Sequence, residues 1–224
     1  MAYNIFFHTH KLTPSWLERT GKINDSTRIL WKDLKCEDEN YYCIGDDTIH
    51  KEFRLYQVPN RNWHWINCDA GILTFLKRNK QLMTQKYLWF FEWDVAWSNS
   101  LLDILNSYEN DNSDLLCPHL STKNGWFHAN RRNKTQFKKI GYCENSVVRI
   151  SRRLLDIVLY EISKYAMFCE MRLPCTCLNY NWCKMRDLTY QRKHIGNPFQ
   201  WPHKTNSTVV KSYTNSMLFH RVKS

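Results

Sequence analysis

The chain has 224 residues, 43% of them hydrophobic and 15% aromatic, which excludes a disordered chain and supports one folded domain over residues 1–224. Its 32 basic and 21 acidic residues give a formal net charge of +11. This charge favours an anionic partner: nucleic acid, an acidic lipid surface or a phosphorylated small molecule. No apolar run approaches the roughly 18 residues of a membrane span, and no signal peptide is recognisable at the start of the chain. We therefore expect a soluble, cytoplasmic protein.

Strands and helices alternate along the chain. Hydrophobic period and capping signals predict strands over residues 3–8, 41–45, 87–95, 114–119 and 146–150, and helices over residues 14–20, 69–80, 99–108 and 152–163. The chain from residue 193 onward is expected to be irregular. The alternation predicts an α/β domain with a mostly parallel central sheet flanked by helices. In such sheets ligands bind at the carboxyl ends of the strands, so functional side chains are expected there.

The most informative local feature is Glu92-Trp93-Asp94, which follows the apolar segment YLWFF. Two carboxylates two residues apart at the end of a strand point to the same side. Placing them against a core strand is costly unless a cation neutralises them. Oxygen ligands suit Mn²⁺ or Mg²⁺, which also bind substrate phosphates. The motif therefore predicts a divalent-metal site, with solvated or arginine-paired acids as the alternative.

The strand and its acidic end resemble the acid-x-acid motif of nucleotide-sugar glycosyltransferases of the GT-A fold. The resemblance implies a single GT-A-like, Rossmann-like domain that moves a sugar from a nucleoside-diphosphate sugar to a hydroxyl acceptor on a glycan or glycoprotein. It also implies that the motif holds Mn²⁺ or Mg²⁺ on the donor's diphosphate. Asp94 would bind the metal directly, whereas Glu92 would bind it through water or hold ribose or sugar hydroxyls.

Two internal segments fit this resemblance in the same order along the chain. The segment NCDAGIL is similar to a helix start that carries Asp69 towards the nucleotide, although a helix N-cap is the alternative role of this residue. The segment VVRISRRLL is similar to a strand-to-helix segment beside the acceptor site. Arg149 in this segment is therefore a candidate nucleotide-binding residue.

The C-terminal segment LFHRVK resembles a His-Pro-Val-Lys element of the same enzymes, with Arg221 at the position of the proline. In that element the histidine completes the metal shell and the lysine meets the phosphate. The resemblance therefore makes His220 a candidate metal ligand and Lys223 a candidate phosphate contact. A histidine near a terminus is otherwise an ordinary surface residue.

Two further acids are candidates for roles in transfer. If the reaction inverts the anomeric centre, the acceptor hydroxyl needs a general base. Similar enzymes carry an acidic residue in the region of Glu170, which is therefore the candidate base, with an ion pair to Arg172 as the alternative. Asp46 follows a predicted strand and is a candidate contact of the nucleotide base or ribose.

Two other classes of function compete with this interpretation. The cysteines at 169, 175, 177 and 183 have gaps of five, one and five residues, which do not match zinc knuckles, so reduced buried thiols are favoured. The charge and the aromatic residues permit a basic nucleic-acid-binding protein without catalytic activity, but no helix-turn-helix, zinc finger or RNP-like strand is recognisable. The basic segment HANRRNKTQFKK is either an acceptor-binding lid or a solvated loop.

Overall fold

The computed structural model describes residues 3–10, 12–24, 26–31, 41–57, 62–122, 137–191, 194–195 and 205–223. The strands, in chain order, are β1 Tyr3–Thr9, β2 Ser26–Trp31, β3 Tyr42–Ile44, β4 Tyr87–Phe91, β5 Ala96–Trp97, β6 Leu115–Cys117, β7 Val147–Ser151, β8 Met185–Asp187, β9 Thr205–Asn206, β10 Leu218–Phe219 and β11 Val222–Lys223. Seven of them form one sheet in the spatial order β3-β2-β1-β4-β7-β6-β8. All neighbours in this sheet are parallel except β7, which runs antiparallel to β4 and β6.

Helices cover both faces of this sheet. They are α1 Pro14–Gly21, α2 Asp46–Glu52, α3 Trp63–Ile66, α4 Ala70–Arg78, α5 Leu101–Asn106, α6 Arg152–Glu161, α7 Cys169–Leu178 and α8 Ser207–Ser212. Leu88 and Phe90 of β4 pack into the cluster formed with α4, α6 and α7, whereas Trp89 and Phe91 pack into the cluster formed with α1 and α5. The alternation of side chains along a strand thus puts an apolar core on each side of the sheet.

The predicted α/β class with a mostly parallel sheet is confirmed. The capping signals also act as expected: Thr13 accepts a hydrogen bond from the amide of Trp16, and Ser151 accepts one from the amide of Leu154. No helix in the described ranges has the length and apolar character to cross a bilayer, since the longest have ten residues.

Several elements differ from the prediction. The strand expected over 87–95 ends at Phe91, because the chain turns at once and the amide of Val95 bonds to the carbonyl of Glu92 at 3.2 Å. Strand β2 was not predicted, because only its last three residues are buried and it shows no clear alternation. The residues from 205 to 223 are not irregular, since they contain α8 and three short strands.

Helix α7 was also not predicted, because Pro174 lies inside it and removes one backbone donor. The carbonyl of Glu170, four residues earlier, instead accepts a hydrogen bond from the amide of Cys143 at 2.9 Å. This bond ties the start of α7 to the chain segment that leads into β7.

The expectation of reduced thiols is wrong for Cys177 and Cys183. These two residues form a disulfide between the end of α7 and the segment before β8. The buried thiols of Cys117, Cys143, Cys169 and Cys175 are free, as expected.

The C-terminal segment is held against the acidic motif by backbone pairing. Strand β10 lies antiparallel to β5, and the amide of Val222 donates to the carbonyl of Asp94 at 2.9 Å. His220 lies between these two attachments. The pairing therefore carries a residue from the end of the chain to the carboxyl end of β4.

Candidate active site

A pocket of about 380 Å³ opens at the edge of the sheet where β1, β2 and β4 end and β7 begins. Its walls carry four carboxylates and several histidine and aromatic side chains. Those used below are His8, Glu92, Asp94, Glu144, Asn145, Glu170, His220 and Arg221. The pocket therefore lies at the edge where a parallel sheet places its ligands.

Three of the predicted metal ligands meet in this pocket. Potential ligand atoms of Glu92, Asp94 and His220 all lie within 4.8 Å of one another. The first two directly follow β4, where the amide of Glu92 donates to the carbonyl of Ser146 at 2.9 Å. His220 is brought there by the pairing of β10 and by the bond from Val222 to Asp94.

Glu144 was not predicted as a site residue, and it orients the histidine. Its Oε1 atom contacts Nδ1 of His220, while Nε2 of the same ring faces Oδ1 of Asp94 at 3.5 Å. A carboxylate on one ring nitrogen leaves the other nitrogen directed at the acidic motif. Glu144 precedes an antiparallel strand, so it reaches this edge from the opposite chain direction to Glu92.

The acids of the pocket outnumber its nearby cations, and the pKa values of two of these acids are raised. Burial, together with the charges of Asp94 and Glu144, raises the pKa of Glu92 to about 7. Burial, with the charges of Glu144 and Glu92, raises the pKa of Glu170 to about 8. Burial alone would lower the pKa of His220, but its interactions with Asp94 and Glu144 raise it to about 10. The carboxylates of Asp94 and Glu144 therefore favour the protonated form of the His220 ring.

The donor set suits a hard divalent cation. Oδ1 of Asp94 is buried, and Nε2 of His220 faces it at 3.5 Å, which is longer than a good hydrogen bond. Two carboxylates and one imidazole are ligands that Mn²⁺ and Mg²⁺ accept. A buried carboxylate oxygen with so weak a donor is costly, and a cation bound there would remove that cost. The residues present thus fit a metal.

The element at the end of the chain differs from His-Pro-Val-Lys in its backbone. Arg221 has a φ of 58°, in the left-handed region that proline, with φ near −65°, does not reach. The backbone at this position therefore excludes proline, and the arginine found there lines the pocket. Lys223 lies in β11 through its backbone, and its side chain falls outside the described residues.

Asp46, Asp69 and Arg149 were also predicted as site residues, and none of them lines this pocket. Asp46 starts α2, and its Oδ2 atom bonds to Nε2 of His64 at 3.1 Å. Asp69 precedes α4 but makes no side-chain cap, because its carboxylate is buried against Arg172, whose Nε atom lies 2.8 Å away. Arg172, the partner named for Glu170 under the alternative to the general-base role, is therefore paired with Asp69 instead.

Arg149 lies in the middle of β7 and is fully buried away from the pocket. Its guanidinium bonds to Asp111 at 2.9 Å and to the carbonyls of Tyr108 and Ser113. It also lies over the ring of Tyr87. Because these contacts engage the guanidinium inside the protein, Arg149 is not part of the candidate site.

The sequence also gave no indication of the aromatic wall of the pocket. The aromatic rings that line it are those of Trp31, His64, Trp65, Trp93 and Phe168. Trp65 is 55% exposed, which is unusual for a large aromatic side chain. Such rings offer flat apolar faces to a ligand. Most of the basic segment HANRRNKTQFKK lies outside the described residues; Lys138 and Lys139 at its end are exposed.

No protein-family profile matches the sequence, and no curated protein matches it. Among solved structures, the chain is similar to the galactosyltransferase LgtC in complex with donor and acceptor sugar analogues, at 10% identity and a TM-score of 0.43, over 97% of this chain and 86% of that one. It is similar to the inositol-1-phosphate CTP transferase of T. maritima at 8% identity and a TM-score of 0.41, over 84% and 86% of the two chains. It is also similar to the bifunctional IspDF of Campylobacter jejuni at 12% identity and a TM-score of 0.43, over 84% of this chain. The match spans 49% of the IspDF chain, about half its length.

Proposed function

We propose that this protein is a divalent-cation-dependent glycosyltransferase that moves a sugar from a nucleoside-diphosphate sugar to a hydroxyl group of a carbohydrate or glycoprotein acceptor. The observation that carries the proposal is the meeting of Glu92, Asp94 and His220 within 4.8 Å in a pocket at the carboxyl edge of the sheet. An excess of buried acids at such an edge favours a site for a cation and its anionic ligand.

In this proposal Asp94 and His220 hold Mn²⁺ or Mg²⁺, and Glu92 binds it through water or holds a hydroxyl of the ribose or sugar. Glu144 accepts the proton of Nδ1 and so keeps Nε2 of His220 available as a ligand. Bound there, the cation would neutralise the negative charge that develops on the departing nucleoside diphosphate.

In the same proposal, two cationic side chains of the C-terminal segment bind the phosphates of the donor. Arg221 lines the pocket directly after His220, and its guanidinium can bond two phosphate oxygens at once. Lys223 is retained as a second phosphate contact, on the resemblance of the C-terminal segment alone. The same short stretch of chain would therefore supply both a metal ligand and the charges that meet the donor.

Glu170 is the proposed general base for an inverting reaction. It lies in the first turn of α7 and lines the pocket together with the acidic motif. A pKa raised to about 8 places its proton exchange near neutral pH, which suits a group that accepts a proton from a hydroxyl. The acceptor oxygen would form its bond to the anomeric carbon as the bond to the diphosphate breaks, and Glu170 would take the hydroxyl proton.

Thermal unfolding with UDP, GDP and CMP, each with and without Mn²⁺, tests this function. A ligand that binds only the folded protein stabilises it by about 2.7 kcal/mol at a free concentration about a hundred times its Kd. We expect one nucleotide to raise Tm only when Mn²⁺ is present. If no nucleotide raises Tm, the transferase proposal fails, and salt-dependent retention on DNA then tests the nucleic-acid alternative.

Asp94→Asn tests the metal ligand while keeping the shape of the side chain. We expect the variant to fold and to lose the Mn²⁺-dependent shift, because a neutral amide is a poor ligand for a hard cation. Asp156→Asn is the matched control, since this carboxylate is 46% exposed on α6 and lies outside the pocket. Unchanged metal-dependent binding in Asp94→Asn would contradict the assignment.

A further inference from the structure

Two neutral polar side chains stand on either side of Glu92 at the floor of the pocket. His8 is near the end of β1, which pairs with β4 so that Phe7 lies opposite Phe91. Asn145 precedes Ser146, whose carbonyl accepts the amide of Glu92. The sheet order thus places one of these side chains on each side of the carboxylate.

Each of the two carries a buried nitrogen without a hydrogen-bond partner in the described part of the chain. These atoms are Nδ1 of His8, a residue 5% exposed, and Nδ2 of Asn145, a residue 7% exposed. The thiol of Cys143 contacts Oδ1 of Asn145 at 3.4 Å, so the amide oxygen is engaged and the NH₂ group is not. Buried polar atoms without partners are rare and often mark the place of a ligand.

Both residues line the pocket and also a cavity of about 10 Å³ beneath it, with Asp69 and Glu92. A space of that volume holds at most about one water molecule. Of these two spaces, the large pocket is therefore the one that admits part of a substrate.

We propose that His8 and Asn145 bind hydroxyl groups of the sugar carried by the nucleotide donor, one on each side of Glu92. This inference rests on the proposed transferase function and assigns the sugar subsite of the same pocket. These three residues form a row of polar groups: the NH₂ donor of Asn145, the carboxylate acceptor of Glu92 and the imidazole of His8. Neighbouring hydroxyls of a sugar match it, because each hydroxyl both donates and accepts.

The chemistry of the row favours hydroxyls over phosphate. His8 is 5% exposed, and burial disfavours the charged form of its ring. Asn145 is neutral as well, and Glu92 between them is an acid. An anion would gain no charge pairing from this row, whereas an uncharged hydroxyl gains hydrogen bonds from either tautomer of His8.

Isothermal titration with Mn²⁺ tests the subsite by comparing two affinities in each variant. The probes are UDP and GDP, and the sugar nucleotides UDP-glucose, UDP-galactose and GDP-mannose. We expect the protein to bind one sugar nucleotide more tightly than its free nucleotide. Asn145→Ala should reduce that ratio about five- to tenfold, the usual effect of one lost hydrogen bond, and leave the Kd of the free nucleotide unchanged within about twofold.

Two further variants act as controls. Asn106→Ala makes the same change on the exposed end of α5 and should leave both affinities unchanged. His8→Gln keeps a polar group at the end of β1 and should retain more of the sugar preference than His8→Phe. If His8→Phe does not fold, Asn145→Ala decides the question alone.

Four results would overturn the inference. One is an equal loss for free and sugar nucleotide in Asn145→Ala, since the residue would then support the metal site alone. A second is an unchanged ratio in that variant. A third is a protein that binds free and sugar nucleotides equally, since the sugar would then make no contact. A fourth is the absence of any Mn²⁺-dependent nucleotide binding, which removes the proposed function and the subsite together, whereas the first three leave that function standing.

Discussion

Acidic residues are wholly or partly buried in two regions of this protein, and their surroundings in the two regions are opposite. Asp111 and Asp114, on the segment between α5 and β6, face arginines, with Arg149 2.9 Å from the first and Arg153 2.6 Å from the second. In the pocket, several carboxylates crowd around one histidine ring. Paired acids hold the fold together, whereas crowded acids leave binding capacity for a ligand.

The pKa values of the acids are shifted in opposite directions in the two regions. Burial acts to raise the pKa of both Asp111 and Asp114, but their hydrogen bonds and arginine partners outweigh it, so both values are lowered. In the pocket, burial and like charges act together, so the pKa values of Glu92 and Glu170 are raised. The variants below alter first the arginine-paired region and then the pocket, in order of decreasing expected effect.

Arg149→Leu should cause the largest loss of stability. The change removes the guanidinium from the buried carboxylate of Asp111 and from three backbone carbonyls, and breaking a buried ion pair in this way costs about 3–5 kcal/mol. Urea unfolding at pH 7 measures the free energy. Arg186→Leu is the matched control, because Arg186 contacts the same carboxylate at 3.1 Å but is 56% exposed. It should cost less than about 1 kcal/mol, and equal losses in the two variants would refute this account.

Asp114→Asn should cost less, about 2 kcal/mol at pH 7, because a charged acceptor of several hydrogen bonds becomes a neutral one. Its carboxylate accepts from Arg153, from the hydroxyl of Ser151 and from the amide of Lys184. Because the folded-state pKa of Asp114 lies below its ordinary value of 3.8, the stabilisation is complete above that pH and is lost as the pH falls through the folded value.

Unfolding measured between pH 7 and pH 2 should therefore show the wild type approaching Asp114→Asn as the pH falls. Asp156→Asn is the control, since it removes an exposed carboxylate paired with Arg152 at 3.5 Å on α6. Its curve should follow the wild type within about 0.5 kcal/mol. A constant difference between wild type and Asp114→Asn across this pH range would show that the charge is not what stabilises.

The acidic motif could be predicted from sequence because its signal is local. The apolar run of β4 fixes the strand, and the two acids directly after it must then lie at its carboxyl end. The position of His220 rested on the resemblance of its segment, and no local pattern shows that β10 pairs with β5. The α/β class followed from the alternation of elements alone.

Other parts of the site depend on contacts that the sequence does not display. Glu144 and Asn145 reach the pocket only because β7 runs antiparallel to β4, and the direction of a strand is not encoded in its own residues. Arg149 illustrates the converse. The resemblance of its segment made Arg149 a candidate nucleotide contact, but its partner Asp111 lies 38 residues away in sequence and was not recognisable.

Glu170→Gln should have the smallest effect, and of the opposite sign. It replaces a carboxyl whose ionised form burial and the neighbouring acids disfavour, so we expect the metal-free protein to gain about 1 kcal/mol while losing sugar transfer, a common exchange of stability for activity. The folded-state pKa of Glu170, about 8, exceeds its ordinary value of 4.5. The folded wild type therefore loses stability as the pH rises between these values, and the gain of the variant should grow over the same window. Denaturation in EDTA at pH 5, 7 and 9 measures this change in the free energy of unfolding.

Glu52→Gln is the control. It breaks a contact of 2.7 Å to Arg78 and should instead lose up to about 1 kcal/mol. A loss of stability in Glu170→Gln would show that its carboxyl is satisfied within the fold, and the contrast between the two regions would then not extend to α7.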